Sequence, residues 1–330
     1  MRTLVSSKHF YSHFEICIYG SVLILFVPEI KNDITVLIPP SINGDLDGLL
    51  FMAKCLNDSC NTCGKLVFDF KNNTHFDVSL TAVLGIIVKT LNEQGTACTL
   101  SNVNQELREV WGQNGFLSYF MNLRAIGLKK SKMKDVEKYL EVRKEDLHEV
   151  ADYIENEFLS ANEFPKISES LRKEMTQSIL ELIINAHQHG NSEYAVCCGH
   201  ISHADSKLCF CVTNVGKTFK DNIYGYLRGN LPNKYPNHIE WAMDGNTTKT
   251  DQVGGLGLRL LKEFVEKNKG RIQIHSDEEY WMHDYDGTNC ENMTEKIKMM
   301  GTVVYIEINL QDEKTYYLTS ETRSNNNGGK

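Results

Sequence analysis

Between Ile34 and Phe120 short apolar runs alternate with longer amphipathic stretches. The segments "ITVLI", "KLVFDF" and "ACTLSNV" read as strands, while "DLDGLLFMAKCLN", "SLTAVLGIIVKTLNEQG" and "NQELREVWGQNG" read as helices, the second closed by Gly95. That order predicts a small α/β layer domain over residues 1–120. Ahead of it, "ICIYGSVLILFV" (Ile16–Val27) predicts two strands joined at Gly20; its twelve residues are too few to span a bilayer. Glu15 before the run, and the absence of a small-residue cleavage site after it, argue against a secretory leader.

From Met121 to Ser160 the chain is densely charged, and Leu147, Val150, Ile154 and Phe158 recur at three- and four-residue intervals. The spacing predicts an amphipathic connecting helix over 121–160, its stripe packing on a neighbouring domain or pairing with a second copy in a homodimer. Pro165 marks the break before a second unit, 161–312. That unit opens with a helix and continues with strand-like "YAVCCGHI" and "KLCFCVT". A polar irregular region from Lys217 to Asp251 follows, then a helix from Leu258 to Asn268 and strands "RIQIHS" and "TVVYIEI". Residues 313–330 end in "SETRSNNNGGK", which predicts a disordered tail. There are no internal repeats.

The 330 residues suffice for two domains, so the predicted class is α+β. The net charge of −8, from 35 basic and 43 acidic side chains, argues against nucleic acid as the main partner. With no membrane-length apolar run, a cytoplasmic protein without membrane association is expected. Ten cysteines at irregular spacing fit a reducing compartment. Cys60 and Cys63 make the one C-x-x-C, with no second pair to complete a structural zinc site.

The helix "ILELIINAHQHGNS" carries the first chemical signal. Ile179, Ile183 and Ala186 share one apolar face, yet Glu181, Asn185 and His189 line another at i, i+4 and i+8. Taken alone, that row is an ordinary solvent stripe. Three later features change the picture. The strand "CVTNVGKTF" runs into Asn214-x-Gly216-x-Thr218, where a glycine lets the backbone approach a flat ligand. Thr247, Thr248 and Lys249 lead into Gly254, Gly255, Leu256 and Gly257 at the start of a helix, where free N–H groups and the helix dipole favour an anion. Gly301-Thr302 precedes a final strand.

In this order the boxes resemble the GHKL superfamily of histidine-kinase-like ATPases, and above all stand-alone bacterial ATP-binding proteins of that type, which share the pattern seen here in "IEWAMDGNTTKTDQVGGLGL". The resemblance implies a Bergerat-type α/β sandwich over 161–312, with a mixed, mainly antiparallel sheet and helices on one face. It implies ATP and Mg²⁺ as cofactors, with Asn185 holding Mg²⁺, Glu181 polarising the attacking water or a substrate hydroxyl, and His189 reaching a phosphate. Asn214, Gly216 and Thr302 would hold the adenine, and Gly254, Gly255, Leu256 and Gly257 the phosphates. Thr218, Thr248 and Lys249 would also bind the nucleotide, and the region Lys217–Asp251 would form a mobile lid. Three positions depart from the pattern: Asn214 replaces an aspartate, and Thr218 and Val253 each replace a glycine.

The N-terminal half resembles a STAS domain of the kind found in anti-sigma-factor antagonists, through "KLVFDFKNNTHFDVSLTAVLGIIVKTLNEQGTACTLSNV". Ser79 stands where those domains carry a phosphorylatable serine, although Leu80 replaces the glycine that follows; alternatively Asp77 or Ser79 caps the helix. The resemblances together imply an ATP-binding regulatory protein whose lid closure is relayed to another protein, a STAS-type partner among the candidates, with slow hydrolysis. A serine kinase and a non-hydrolysing, nucleotide-gated module are the alternatives. A histidine kinase fits poorly, since His148 lies only 37 residues before Asn185.

Overall fold

The computed structural model describes residues 15–19, 22–26, 32–59, 63–120, 138–161, 163–188, 190–248, 256–293 and 297–321. Strands β1 (Glu15–Tyr19) and β2 (Val22–Phe26) form the expected antiparallel pair. There follow β3 (Asn32–Leu37), β4 (Ser41–Ile42), α1 (Leu46–Ser59), β5 (Cys63–Asp69), β6 (His75–Phe76), α2 (Thr81–Glu93), β7 (Ala97–Ser101), α3 (Gln105–Gln113) and α4 (Phe116–Phe120). β3, β5 and β7 make a three-stranded parallel sheet, and β4 pairs with β6. Parallel neighbours need crossovers, which α1 and α2 supply.

The C-terminal unit comprises β8 (Leu140–Val142), α5 (Leu147–Tyr153), β9 (Lys166–Ile167), α6 (Glu169–Gln188), β10 (Ala195–Ser202), β11 (Lys207–Val215), α7 (Phe219–Tyr226), α8 (His238–Met243), α9 (Leu256–Asn268), β12 (Arg271–Asp277), β13 (Glu279–Asp284), β14 (Gly287–Asn292), β15 (Met299–Asn309) and β16 (Thr315–Tyr316). Seven strands form one sheet in the order β14-β13-β12-β15-β11-β10-β8, every neighbour antiparallel. The chain is α+β, as expected, but this sheet is antiparallel throughout rather than mixed. The parallel pair of this half, β9 with β16, lies outside it.

Three expectations are corrected. Within the stretch read as a connecting helix, residues 138–160 hold the edge strand β8, a 3₁₀ turn (Lys144–Asp146), α5 and a π turn (Ile154–Phe158). The apolar stripe was real, but Val150, Ile154 and Phe158 pack into the core beneath α6. The region Lys217–Asp251 contains two helices, α7 and α8, with a small core of Ile223, Tyr235, Trp241 and Ala242. The start of the presumed tail is ordered, since Tyr316 is buried against α9 through Phe264. Residues 121–137 and 322–330 fall outside the described part, as does Cys60.

The two faces of the large sheet meet different partners. On one face Phe210, Val212, Val304 and Ile306 join α6 and α9 in a core. On the other face Cys209, Cys211, Val303 and Tyr305 share a core with α1 and α2 of the N-terminal unit. So β10 and β11 are buried almost continuously rather than alternately. Helices of its own on one face were expected; the second face is covered by the rest of the chain. Gly44 is one point of close approach: its carbonyl accepts from Gln273 at 2.7 Å and Arg271 at 3.3 Å. A Cβ there would fall 1.9 Å from Tyr305 Cζ.

His275 lies on this shared face, opposite Val303 and Tyr280 on the neighbouring strands. It is fully buried, and neither ring nitrogen has a partner among the described residues. Burial pushes its pKa down to about 4 from 6.5, and the nearby Asp277 backbone offsets this only weakly. The folded state therefore keeps His275 neutral while the unfolded chain takes up a proton. Stability should fall as the pH drops from 6.5 towards 4, by of order 3 kcal/mol over the window. Asp77, whose pKa is raised by burial, acts with the opposite sign: its contribution is present at low pH and lost as the pH rises through its folded value. Comparing His275→Phe with wild type isolates the histidine. The variant should lose less thermal stability across that window, and an unchanged pH slope would refute the assignment.

Candidate functional site

The cavity of interest lies on the helix-covered face of the sheet, between α6, the ends of β11 and β15, and the α7–α8 segment. It encloses about 780 Å³ of empty space, part of it open to solvent. Glu181 and Asn185 reach it from α6, Asn214 from β11, Thr302 from β15, and Thr218 and Thr248 from either end of the α7–α8 segment. Asn214 and Thr302 are direct cross-strand partners, so sheet register sets them side by side. With Thr247, seven residues singled out from the sequence thus line one cavity.

The α6 helix explains the first pair. Leu180, Ile183 and Ala186 are buried in the core, while the turn-spaced Glu181 and Asn185 border the cavity. Glu181 Oε2 accepts a hydrogen bond from Gly257 N–H, 3.2 Å away, in the first turn of α9. The packing there is tight, because a Cβ on Gly257 would lie 2.3 Å from the same oxygen. A carboxylate thus sits on a free N–H at a helix N-terminus, where the macrodipole favours an anion.

The sheet side is held by a chain of hydroxyls. Ser276 Oγ donates to Gly301 O and lies 2.9 Å from Thr302 Oγ1, while Phe219 N–H donates to Ser276 Oγ at 3.1 Å. Because Ser276 has one proton, which goes to Gly301 O, the Thr302 hydroxyl donates to Ser276 and keeps its lone pairs for the cavity. The same serine anchors α7 to β12.

Two assignments differ from expectation. Thr218 lines the cavity, but its hydroxyl serves a capping box at the start of α7, donating to Asp221 Oδ2 at 2.8 Å and accepting from Asp221 N–H at 3.1 Å. Gly216 does not border the cavity; it has φ +148°, and a Cβ on it would come 2.1 Å from Gly190 O. Its role is to let the end of β11 close on the turn after α6, where Lys217 N–H donates to Gly190 O at 2.7 Å. His189, Lys249, Gly254 and Gly255 lie outside the described residues, and Leu256 is placed only as the first residue of α9.

Lys217, Asn222, Trp241 and Asn246 also line the cavity without having been singled out. Asn246 is fixed by donating to Trp241 O at 2.8 Å and Tyr235 Oη at 2.9 Å. The signal was available in the apolar spacing of Phe219 and Ile223, which marks a helix inside a segment that otherwise reads as irregular. Among the described residues no cluster of three or more His, Cys, Asp or Glu side chains is built to hold a metal.

On the opposite face sits the Asp77-x-Ser79 turn. Asp77 caps the short turn before α2, its Oδ1 accepting from Ser79 N–H at 2.9 Å, and Tyr305 Oη donates to its Oδ2. Ser79 is fully buried, and its hydroxyl donates to the Cys209 carbonyl in β11 at 3.1 Å. The capping role open to Asp77 is thereby realised.

A family model for the STAS domain matches residues 27–131, so the N-terminal unit is a STAS domain. This domain points to a signalling or regulatory role. Among solved structures, the catalytic domain of the histidine kinase ThkA, in a nucleotide-free form, shows a weak likeness: 19% identity, 54% of this chain and 97% of that chain covered, and a TM-score of 0.26. No curated protein matches the chain. No helix among the described residues is long and apolar enough to cross a membrane.

Proposed function

We propose that the chain is a nucleotide-regulated signalling protein that binds Mg-ATP in the α6–β11–β15 cavity, with a STAS domain on the far face of the same sheet. The observation that carries this reading is the convergence of Glu181, Asn185, Asn214 and Thr302, from three separate stretches of sequence, on one cavity. The donor set fits a phosphate-borne Mg²⁺. An ion that arrives with its nucleotide takes one or two protein ligands and several waters. Asn185 Oδ1 would supply such a ligand, and the start of α9 would meet the phosphates. Mg²⁺, when bound, would neutralise phosphate charge, and Glu181, one turn from Asn185, would accept a proton from an attacking water.

Phosphotransfer to Ser79 within one chain is disfavoured, because its buried hydroxyl lies across the sheet from the cavity. A kinase activity would therefore act on a serine of another protein. Incubation with γ-labelled ATP separates the readings: free phosphate identifies an ATPase, label on protein a kinase, and retained ATP a binding module. Saturating Mg-ATP should raise the melting temperature, by about 2.7 kcal/mol of added stability at a hundredfold excess over Kd. Asn185→Ala should abolish the Mg²⁺-dependent part of that shift. A folded wild-type protein with no shift at saturating Mg-ATP would remove the basis for the proposal.

A further inference from the structure

Ser276 stands near the end of β12, fully buried and one strand away from the cavity. It pairs with Thr302 of β15, which pairs in turn with Asn214 of β11, so the three form a row across the sheet. Directly after Ser276 the β12–β15 register shifts: Asp277 pairs with Met299, and the ladder passes over Met300 and Gly301. The Ser276 hydroxyl fills that gap by donating to Gly301 O at 2.9 Å. Its two lone pairs are taken by Phe219 N–H, at 3.1 Å, and by the Thr302 hydroxyl, at 2.9 Å. A serine hydroxyl has one proton and two lone pairs, so the group is saturated. Were its proton turned to Thr302 instead, the buried Gly301 carbonyl would lose this donor, which is unfavourable.

Resting on the nucleotide reading above, we infer that Ser276, which is not among the residues lining the cavity, is the positioning residue that fixes the polarity of the cavity wall at Thr302, so that this wall takes a ligand group that donates. The hydrogen bonds run in one direction: from a ligand N–H or O–H to Thr302, from Thr302 to Ser276, and from Ser276 to the Gly301 carbonyl. Thr302 is half-buried and lines the cavity, so its lone pairs are within reach of a ligand. Each bond in such a chain polarises the next, so the relay favours a donor more than an isolated hydroxyl would. The group it fits is an amino or amide N–H, or a water that such a group holds. A carbonyl or phosphate oxygen brought to the same point would face lone pairs with no proton between them. Without Ser276 the Thr302 hydroxyl could turn its proton into the cavity. The same serine oxygen holds the N–H of Phe219, the first residue of α7, so the helix beside the cavity starts from this relay.

The experiment is a double-mutant cycle on Mg-ATP affinity, by isothermal titration of the full chain: wild type, Thr302→Val, Ser276→Ala and the two together. Thr302→Val keeps the shape of the side chain and removes its hydroxyl. It should weaken binding by about five- to 150-fold, the range for one buried donor left without an acceptor. Ser276→Ala should weaken it too, although Ser276 touches no ligand. The double variant should lose less than the product of the two single losses, by about twofold or more, because no hydroxyl is left at 302 for Ser276 to orient. Single losses that simply multiply show that Ser276 acts only by anchoring α7, and overturn the inference. Unchanged affinity in Thr302→Val overturns it as well, and leaves the nucleotide reading standing. Folded wild type that binds no Mg-ATP removes the reading beneath it. Should Ser276→Ala fail to fold, Ser276→Cys, whose thiol is a weak donor and a weak acceptor, takes its place in the cycle.

Discussion

Glu181→Gln should bind ATP about as well as wild type and turn it over about 10²–10⁴ times more slowly. Glutamine keeps the length of the side chain and can still offer an oxygen to Gly257 N–H, so the link between α6 and α9 survives. It cannot take a proton. The effect belongs to the barrier rather than to the ground state, because a general base acts on the water as the bond to phosphorus forms. Removing the side chain altogether, in Glu181→Ala, should lower turnover comparably and also free the Gly257 N–H for a phosphate oxygen, so binding should not weaken. Phosphate release under single-turnover conditions, set beside calorimetric affinities, measures both quantities. A Glu181→Gln protein hydrolysing at the wild-type rate would take the proton-acceptor role away from Glu181.

Ser79→Asp should destabilise the fold by about 3–5 kcal/mol, the usual cost of an uncompensated buried charge. Ser79 has no exposed surface, and the Asp77 carboxyl beside it is itself buried and held above its ordinary range by that burial. A second carboxylate would face the first, with the Cys209 carbonyl in front of it. Ser79→Ala, which removes only a hydrogen bond, should cost about 1 kcal/mol. Thermal denaturation of both variants decides the matter. Equal melting of Ser79→Asp and wild type would mean that the turn leaves the sheet without penalty and is open to modification.

Much of the site could be read from the chain because its residues are placed by periodicity. Glu181 and Asn185 follow from helical spacing on α6, and Asn214 and Thr302 stand at the ends of two strongly apolar strands that pair. Other parts were hidden for physical reasons. β8 is three residues long in a charged stretch, and an edge strand needs little apolar content to hold its ladder. The β13–β14 hairpin, "EYWMHD" with "GTNCEN", has one polar strand at the sheet's outer edge and so lacks a clear alternating pattern. The covering of the second sheet face did leave a trace. "AVCC" and "LCFCV" are unbroken apolar runs, where a strand wet on one side would alternate. Their continuity reflects burial from both sides.

The STAS match ends at residue 131, yet the folded unit does not divide there. Excising the N-terminal half would bare Val196, Cys198, Cys211, Val303 and Tyr305 as one continuous apolar surface, and would leave the Arg271–Glu307 pair without the Gly44 carbonyl that helps seat it. A surface of that kind, unshielded in water, draws in another chain or a second copy of itself. The recognisable module is therefore a segment of ancestry rather than a piece that can be lifted out, and the C-terminal half prepared without it would need a substitute cover.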